Sequence, residues 1–193
     1  MRAAMLEVDR RAFLPAAASG EAYADAPVVL QVDAGGRAIS TMSQPTMVAL
    51  MLEQLQVGPG DHVLEIGTAS GYNAALLAAL TGGAGAGVSV ELDEGLARRA
   101  AQRLAGRANI EVVVGDGRLG HPPGAPFQRI IVPAGAAAVA PAWNDQLDDG
   151  GRLVVPLPDG ADREVCVTFE KTGAALVERA RMPCRFVPLR PAT

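Results

Sequence analysis

The sequence predicts an α/β fold with a doubly wound, mostly parallel sheet of seven strands and an antiparallel hairpin at its C-terminal end. Two observations support this. Between residues 62 and 132, short apolar runs typical of buried strands alternate with helical segments, as in a parallel sheet covered by helices. After Gly150-Gly151, β-prone runs follow one another with little room for a helix. The length of 193 residues suits one domain rather than two.

The first 45 residues are mostly irregular and begin with a short helix over residues 1–9. Residues 28–32 and 37–39 are β-prone and flank a turn-forming stretch, which predicts a hairpin. A helix is predicted from Pro45, because Ser43 can cap it and apolar residues then recur at helical spacing.

The alternation of apolar runs and helical segments after this helix predicts the remaining strands and helices. Strands are predicted at residues 62–66, 87–90, 110–114, 129–132, 152–157, 164–170 and 176–187, and helices at 72–80 and 94–104. Right-handed crossovers between the parallel strands would place helices on both faces of the sheet.

Composition and charge argue against several classes of protein. Net charge is −4, whereas a nucleic-acid partner requires a concentrated cationic surface. The densest basic cluster is interpreted as a solvated helix face and comprises Arg98, Arg99, Arg103 and Arg107. No secretory or membrane-spanning segment is predicted, so we expect a cytoplasmic protein without a membrane partner.

The cysteines and histidines suggest no metal site and no catalytic dyad. Cys166 and Cys184 lack metal-binding spacing. Both are interpreted as reduced core thiols, although the sequence leaves open a bridge between neighbouring strands. His62 and His121 are interpreted as structural, and core packing is expected for Trp143.

The most informative stretch is the tight turn that joins the predicted strand 62–66 to the next helix. In this turn the acidic Glu65 is followed two residues later by Gly67, and Gly71 follows four residues after that. A dinucleotide would require further glycines where Ala69 and Tyr72 stand. The pattern suits S-adenosylmethionine instead, with Glu65 directed toward the ammonium of its methionine part.

Two further acids end the next two strands. Glu91 can accept both ribose hydroxyls, as the acid of dinucleotide enzymes does. Asp116, in Gly115-Asp116-Gly117, can receive the adenine amino group. Because carboxyl ends of parallel strands meet at one edge of a sheet, we expect these acids and Glu65 to surround one crevice.

At this point the chain resembles the protein-L-isoaspartate O-methyltransferases, which are class I, Rossmann-like methyltransferases. The resemblance is carried by residues 8–15, 22–25, 43–45, 64–72, 115–117, 150–156 and 185–189. Its most specific parts are Thr41-Met42-Ser43-Gln44-Pro45 and the terminal Phe-Val-Pro-Leu sequence of residues 186–189. The resemblance implies a covering segment over residues 1–45 and a Rossmann-like core over 46–193.

The resemblance also implies roles for individual residues. Ser43 is expected at the reacting centre, in a segment that closes over the cofactor. The expected cofactor contacts are Ser40, Thr41, Met42, Ser43, Glu65, Gly67, Thr68, Ala69, Ser70, Gly71, Glu91, Leu92, Asp116 and Gly117. The expected peptide contacts are Ser43, Pro133, Phe186, Val187, Pro188 and Leu189.

Some positions depart from the family pattern, including Met42, Ala69, Pro133 and Arg190. Cofactor binding should survive these changes, whereas peptide selection is less secure. A carboxylate acceptor is already ionised at neutral pH, so the reaction needs no strong base. Ser43 is expected to orient one carboxylate oxygen.

Several functions remain open on the sequence. The first is methylation of isoaspartyl residues, which leads to repair through a succinimide. The second is methylation of one particular aspartate in a ribosomally made peptide, which gives an aspartimide. A non-catalytic binder of S-adenosylmethionine and a dehydrogenase fit less well. The expected partner is a peptide, and the expected state is a monomer.

Overall fold

The computed structural model describes residues 1–192. A seven-stranded sheet forms its centre, in the order β5-β4-β3-β6-β7-β8-β9. Its strands are β3 (His62–Ile66), β4 (Ala86–Glu91), β5 (Ile110–Val114), β6 (Phe127–Ile131), β7 (Leu147–Pro158), β8 (Glu164–Thr172) and β9 (Ala175–Cys184). The pairs from β5 to β7 are parallel, whereas β8 is antiparallel to β7 and to β9. The predicted fold class is confirmed.

The chain changes direction in the sheet at β3. It proceeds from β3 outward through β4 to β5 and then returns to the other side of β3 as β6. At such a switch point, the connections after the two neighbouring strands leave on opposite sides, and a crevice opens at the strands' carboxyl ends. The topology therefore places a crevice beyond Ile66.

Two apolar clusters cover the two faces of the sheet. Helices α1 (Arg2–Glu7), α2 (Pro45–Leu55), α3 (Tyr72–Thr81) and α4 (Glu94–Leu104) all contribute to one cluster. The other contains the fully buried Trp143 of α5 (Pro141–Gln146). Strand β3 alternates between them: Val63 belongs to the first cluster, and Leu64 and Ile66 to the second. No helix within residues 1–192 is long and apolar enough to cross a membrane.

The N-terminal segment packs onto the first cluster. Two short 3-10 helices, Arg10–Phe13 and Ala16–Glu21, follow α1 and precede the predicted hairpin of β1 (Val28–Val32) and β2 (Ala38–Met42). Its second strand is longer than predicted, because the polar Ser40 and Thr41 still pair with β1.

The predicted cap of α2 is wrong. The helix begins at Pro45 as expected, but its N-cap is Gln44, not Ser43. The Thr46 N–H instead donates to a carboxylate oxygen of Asp25 (2.9 Å). A residue 21 positions earlier in the chain thus satisfies the helix end, and the Ser43 side chain does not serve as the cap.

The C-terminal strand ends earlier than predicted. Strand β9 stops at Cys184, because the following segment leaves the sheet edge and pairs with the loop after β6. The Gly135 N–H donates to the Val187 carbonyl (2.9 Å), and the Leu189 N–H donates to the Gly135 carbonyl (2.8 Å). This contact brings the predicted peptide-binding residues to the crevice.

Candidate active site

The turn between β3 and α3 lies at the carboxyl end of the sheet. Gly67, Ala69 and Gly71 have φ angles of 100°, 48° and 87°, a region that glycine adopts freely and alanine only with strain. The Gly67 N–H donates to the Val90 carbonyl (2.8 Å), and the Gly71 N–H donates to that of Thr68 (2.9 Å). Backbone bonds therefore fix the shape of the turn.

Glu91, at the end of β4, ties this turn to the neighbouring strand. One oxygen of its carboxylate accepts the Ala69 N–H (2.8 Å) and the other accepts the Asp93 N–H (3.0 Å). A carboxylate oxygen has two lone pairs, so each still has capacity for a second donor. The arrangement suits two adjacent hydroxyl groups, such as those of a ribose.

A cleft, here called the strand-tip cleft, opens along the ends of these strands. Its lining includes the predicted residues Ser40, Thr41, Gly67, Ala69, Glu91, Leu92, Gly117, Pro133, Val187, Pro188 and Leu189. Five lining residues were not predicted: Ile39, Ile66, Val90, Ala134 and Arg190. The hairpin, the strand tips and the C-terminal segment thus meet around one space.

Gly117 and Asp116 both follow β5, but only Gly117 lines the strand-tip cleft. A Cβ on Gly117 would overlap Cγ2 of Ile66, so a side chain does not fit there. Asp116 lies outside the strand-tip cleft lining and accepts from the Arg118 guanidinium (2.6 Å). Arg118 lowers the pKa of this carboxyl to about 2. The contact of Asp116 with adenine stays a prediction. In such a complex, Arg118 and the adenine amino group would both donate to this carboxylate.

An inner pocket adjoins the strand-tip cleft and shares four lining residues with it: Thr41, Gly67, Ala69 and Pro133. Its other predicted residues are Met42, Ser43, Glu65, Thr68 and Ser70. Val48, Met51, Tyr72, Asn73 and Ile131 complete the lining. The inner pocket is therefore mostly apolar, with one carboxylate and a few hydroxyl and amide groups.

Glu65 is the buried acid of the inner pocket. Its two carboxylate oxygens accept from Asn73 Nδ2 (2.7 Å) and from the Ser89 hydroxyl. Burial raises the pKa of Glu65 to about 7, although both hydrogen bonds favour the charged form. A cationic amine in this pocket would stabilise the carboxylate, which agrees with the predicted ammonium contact.

Ser43 stands where the inner pocket meets an open groove. The groove is lined by Pro27, Val29, Ala38, Thr41, Ser43, Gln44, Met47, Cys184, Arg185, Phe186, Val187 and Pro188. Thr41 and Ser43 are the lining residues that the inner pocket and the groove share. A ligand in the groove would thus reach the inner pocket beside the Ser43 side chain.

Most predicted site residues therefore come together, with two exceptions. Gly71 and Asp116 do not line the strand-tip cleft, the inner pocket or the groove. A Cβ on Gly71 would stand 3.2 Å from the Ala100 Cβ, so this glycine allows α3 and α4 to approach each other. His62 and His121 also lie outside these three spaces, and the His62 ring packs 4.7 Å from that of Phe127.

Sequence reasoning missed several residues of the site. Asn73 and Ser89 hold Glu65, and the placement of Asn73 in the first turn of α3 was a usable signal, because that turn faces the end of β3. Arg10 contacts the Ser43 carbonyl across 33 positions in the chain. Local patterns reveal no such long-range contact.

Comparison with known proteins identifies the family. Its sequence profile, described as protein-L-isoaspartate(D-aspartate) O-methyltransferase, matches residues 1–192. A protein-L-isoaspartate O-methyltransferase of Anaeromyxobacter dehalogenans (strain 2CP-1 / ATCC BAA-258) is 44% identical over 96% of this chain and 87% of its own length. Another, of Ignicoccus hospitalis, is 42% identical over 96% of this chain and 86% of its own.

Solved structures agree with this result. One protein-L-isoaspartate O-methyltransferase superposes with a TM-score of 0.88 at 34% identity, covering 96% of this chain. The present chain spans 59% of the length of that protein. A second structure, from Plasmodium falciparum, superposes with a TM-score of 0.83 at 21% identity, covers 97% of this chain and 88% of its own length, and supports the fold alone. The chain belongs to the protein-L-isoaspartate(D-aspartate) O-methyltransferase family.

Proposed function

We propose that this protein is an S-adenosylmethionine-dependent carboxyl O-methyltransferase that acts on L-isoaspartyl residues of peptides and proteins. One observation carries the proposal: Ser43 lies at the junction of the inner pocket and the open groove. A small methyl donor on one side and a peptide on the other would meet at its hydroxyl. The named activity of relatives at 42% and 44% identity supports this reaction.

The residues around the strand-tip cleft suit S-adenosylmethionine. Glu91 would accept the ribose hydroxyls, and the turn of residues 67–71 would lie against the methionine part, near Glu65. Ala69 and Tyr72 stand where a dinucleotide would need glycines. When bound, S-adenosylmethionine supplies a methyl group on a positively charged sulfonium.

The protein's own contribution is orientation and exclusion of water. The acceptor carboxylate is ionised at neutral pH, so the hydroxyl of Ser43 need only donate a hydrogen bond that holds one oxygen in place. Opposite charges cancel during the transfer, and water therefore stabilises the separated ions more than the transition state. The apolar walls of the inner pocket, including Met42, Met51 and Ile131, exclude that water. Alignment alone can supply up to ~7–11 kcal/mol.

The groove would hold the peptide. Its apolar wall includes Val29, Met47 and Phe186. The Phe186 N–H donates to a carboxylate oxygen of Glu164 (2.7 Å), and the next residues pair with Gly135. The C-terminal segment is thus fixed on both sides, which would give the peptide a preformed surface to bind.

The product explains the biological use of the reaction. Methoxide leaves an ester carbonyl far more readily than oxide leaves an ionised carboxylate. The backbone nitrogen of the following peptide residue therefore attacks the ester carbonyl and methanol departs, and water reopens the resulting succinimide partly as aspartate. Modification of a single dedicated peptide is not favoured, because the relatives named above are isoaspartyl enzymes.

We further propose that residues 1–45 cover the cofactor and substrate, whereas residues 46–193, the last of which lies outside the described residues, form the catalytic core. Ser40 and Thr41, which line the strand-tip cleft, support this division. The monomeric state and the cytoplasmic location stay predictions.

The test offers labelled S-adenosylmethionine to the protein together with matched peptides that differ only in one isoaspartyl or aspartyl residue. Base-labile release of labelled methanol measures the ester. We expect release from the isoaspartyl peptide and little from its aspartyl partner. Equal labelling of both peptides, or labelling of neither, would refute the proposed specificity.

A further inference from the structure

Arg10 is a buried cation that the proposed reaction does not use directly. Its side chain is 1% exposed, although arginine is rarely buried to this extent unless it is paired. It lies in the first 3-10 helix, Arg10–Phe13, directly after the helix cap Asp9. Its neighbour Arg11 is exposed and pairs with Asp9 instead. The two adjacent arginines therefore have different surroundings.

The guanidinium of Arg10 joins three separate parts of the protein. Nε donates to the Ala22 carbonyl (2.7 Å), within the N-terminal segment, and Nη2 donates to the Ser43 carbonyl (2.7 Å). Its central carbon stands 4.9 Å from the ring centre of Tyr72, the first residue of α3 after the glycine turn. Ser43 is thus connected to the turn that would hold the cofactor.

Stability alone gives no sufficient reason for this arrangement. Within residues 1–192, no carboxylate forms a direct ion pair with Arg10, and Nη1 has no hydrogen-bond partner. Asp25 attracts the guanidinium only from beyond ion-pair distance. A buried charge without a direct ion pair is costly to a fold, and burial lowers the pKa of Arg10. The planar guanidinium instead fixes the orientation of the Ala22 and Ser43 carbonyls relative to the Tyr72 ring.

Asp25 holds the residues that follow Ser43. One of its oxygens accepts the Thr46 N–H (2.9 Å), and the other accepts from Gln44 Nε2 (2.9 Å). Two side chains of the N-terminal segment therefore fix the backbone on either side of the bond between residues 43 and 44. None of these contacts uses the Ser43 side chain, which lines both the inner pocket and the groove.

We infer that Arg10 is a positioning residue for the methyl transfer. It fixes the Ser43 backbone relative to Tyr72 and the glycine turn, and so sets the direction in which the Ser43 hydroxyl can donate. This inference rests on the proposed function, since it assumes that the acceptor carboxylate binds beside Ser43.

The test combines Arg10→Met and Arg10→Lys with Ser43→Ala in a double-mutant cycle. Arg10→Met should lower kcat on the isoaspartyl peptide on the order of 10- to 100-fold, with cofactor affinity nearly unchanged. The kcat of Arg10→Lys should lie between that of Arg10→Met and that of the unaltered protein. In the Ser43→Ala background the same changes should lower kcat less than about twofold, because no hydroxyl remains to be positioned. Arg11→Met, which removes an exposed arginine, is the control. Equal losses in both backgrounds would overturn the inference.

A second measurement does not depend on activity. Amide hydrogen exchange over residues 40–47 should become at least several-fold faster in Arg10→Met than in the unaltered protein, and remain unchanged in Arg11→Met. Unchanged exchange in a folded Arg10→Met protein would overturn the positioning role. If exchange responds but the unaltered protein methylates neither peptide, the proposed function fails while the structural link of Arg10 to Ser43 stands.

Discussion

At the scale of single residues, Ser43 has the most specific expected role. Ser43→Ala removes a donor to an ionised carboxylate, a bond that contributes about 1.5–3 kcal/mol. We therefore expect kcat to fall about 10- to 100-fold, while calorimetry shows nearly unchanged affinity for S-adenosylhomocysteine. Ser19→Ala, which removes a hydroxyl bonded to Ala16, controls for loss of a serine. A large loss of cofactor affinity in Ser43→Ala would contradict the assigned role.

Glu65 gives a prediction about pH. Its pKa is raised by burial to about 7 from an ordinary value of 4.5, so the folded protein binds the proton more tightly than the unfolded chain does. The free energy of unfolding should therefore fall as pH rises from about 4.5 to about 7, by a few kcal/mol, and then level off.

Denaturant unfolding at a series of pH values measures this effect. In Glu65→Gln the pH-dependent fall should be smaller than in the unaltered protein, because the titrating group is gone. Glu53→Gln, on the exposed face of α2, controls for loss of one carboxylate. An identical pH profile in Glu65→Gln and the unaltered protein would show that Glu65 does not titrate in this range.

At the scale of secondary-structure elements, the ends of β3, β4 and β5 hold the site together. Glu91→Ala removes both the expected ribose contact and the bond to the Ala69 N–H. Cofactor affinity should fall at least about tenfold, since hydrogen bonds to a charged group are worth about 1.5–3 kcal/mol. Calorimetry with S-adenosylhomocysteine tests this. Retained affinity with lost turnover would instead place Glu91 at the reacting centre.

Gly117 tests how closely the segment after β5 must approach Ile66 at the end of β3. Gly117→Ala places a methyl group against Ile66, and overpacking of a core typically costs about 1–3 kcal/mol. We expect a lower free energy of unfolding together with weaker cofactor binding. Gly106→Ala, where an added Cβ meets nothing within 4 Å, provides the matched control. Equal stability of the two variants would contradict the close approach.

The core elements could be predicted from the sequence because their signals are local. The alternation of apolar runs and helical segments predicts strand 62–66 and helix 94–104 with the bounds that the structure shows. Helix α5 was not predicted, because it has only six residues and follows an alanine-rich stretch without helical periodicity. The early end of β9 depends on pairing with Gly135, a distant contact that strand propensity does not reveal.

At the scale of the whole molecule, three segments far apart in the chain surround the proposed reaction. The hairpin end supplies Ser43, the sheet supplies the strand-tip cleft, and residues 184–188 supply one wall of the groove. The motifs predicted which residues gather there, because the family resemblance links them. The supporting contacts of Arg10 and Asp25 with residues 43–46 required coordinates, because they connect irregular segments without periodicity.

The central claim is that the cofactor lies across the strand tips with its sulfur directed toward Ser43. A crystal structure with S-adenosylhomocysteine and an isoaspartyl peptide tests it most directly. We expect the ribose on Glu91, the sulfur in the inner pocket, and the peptide carboxylate within hydrogen-bond distance of the Ser43 hydroxyl. A cofactor bound elsewhere, or a carboxylate held away from Ser43, would contradict the account.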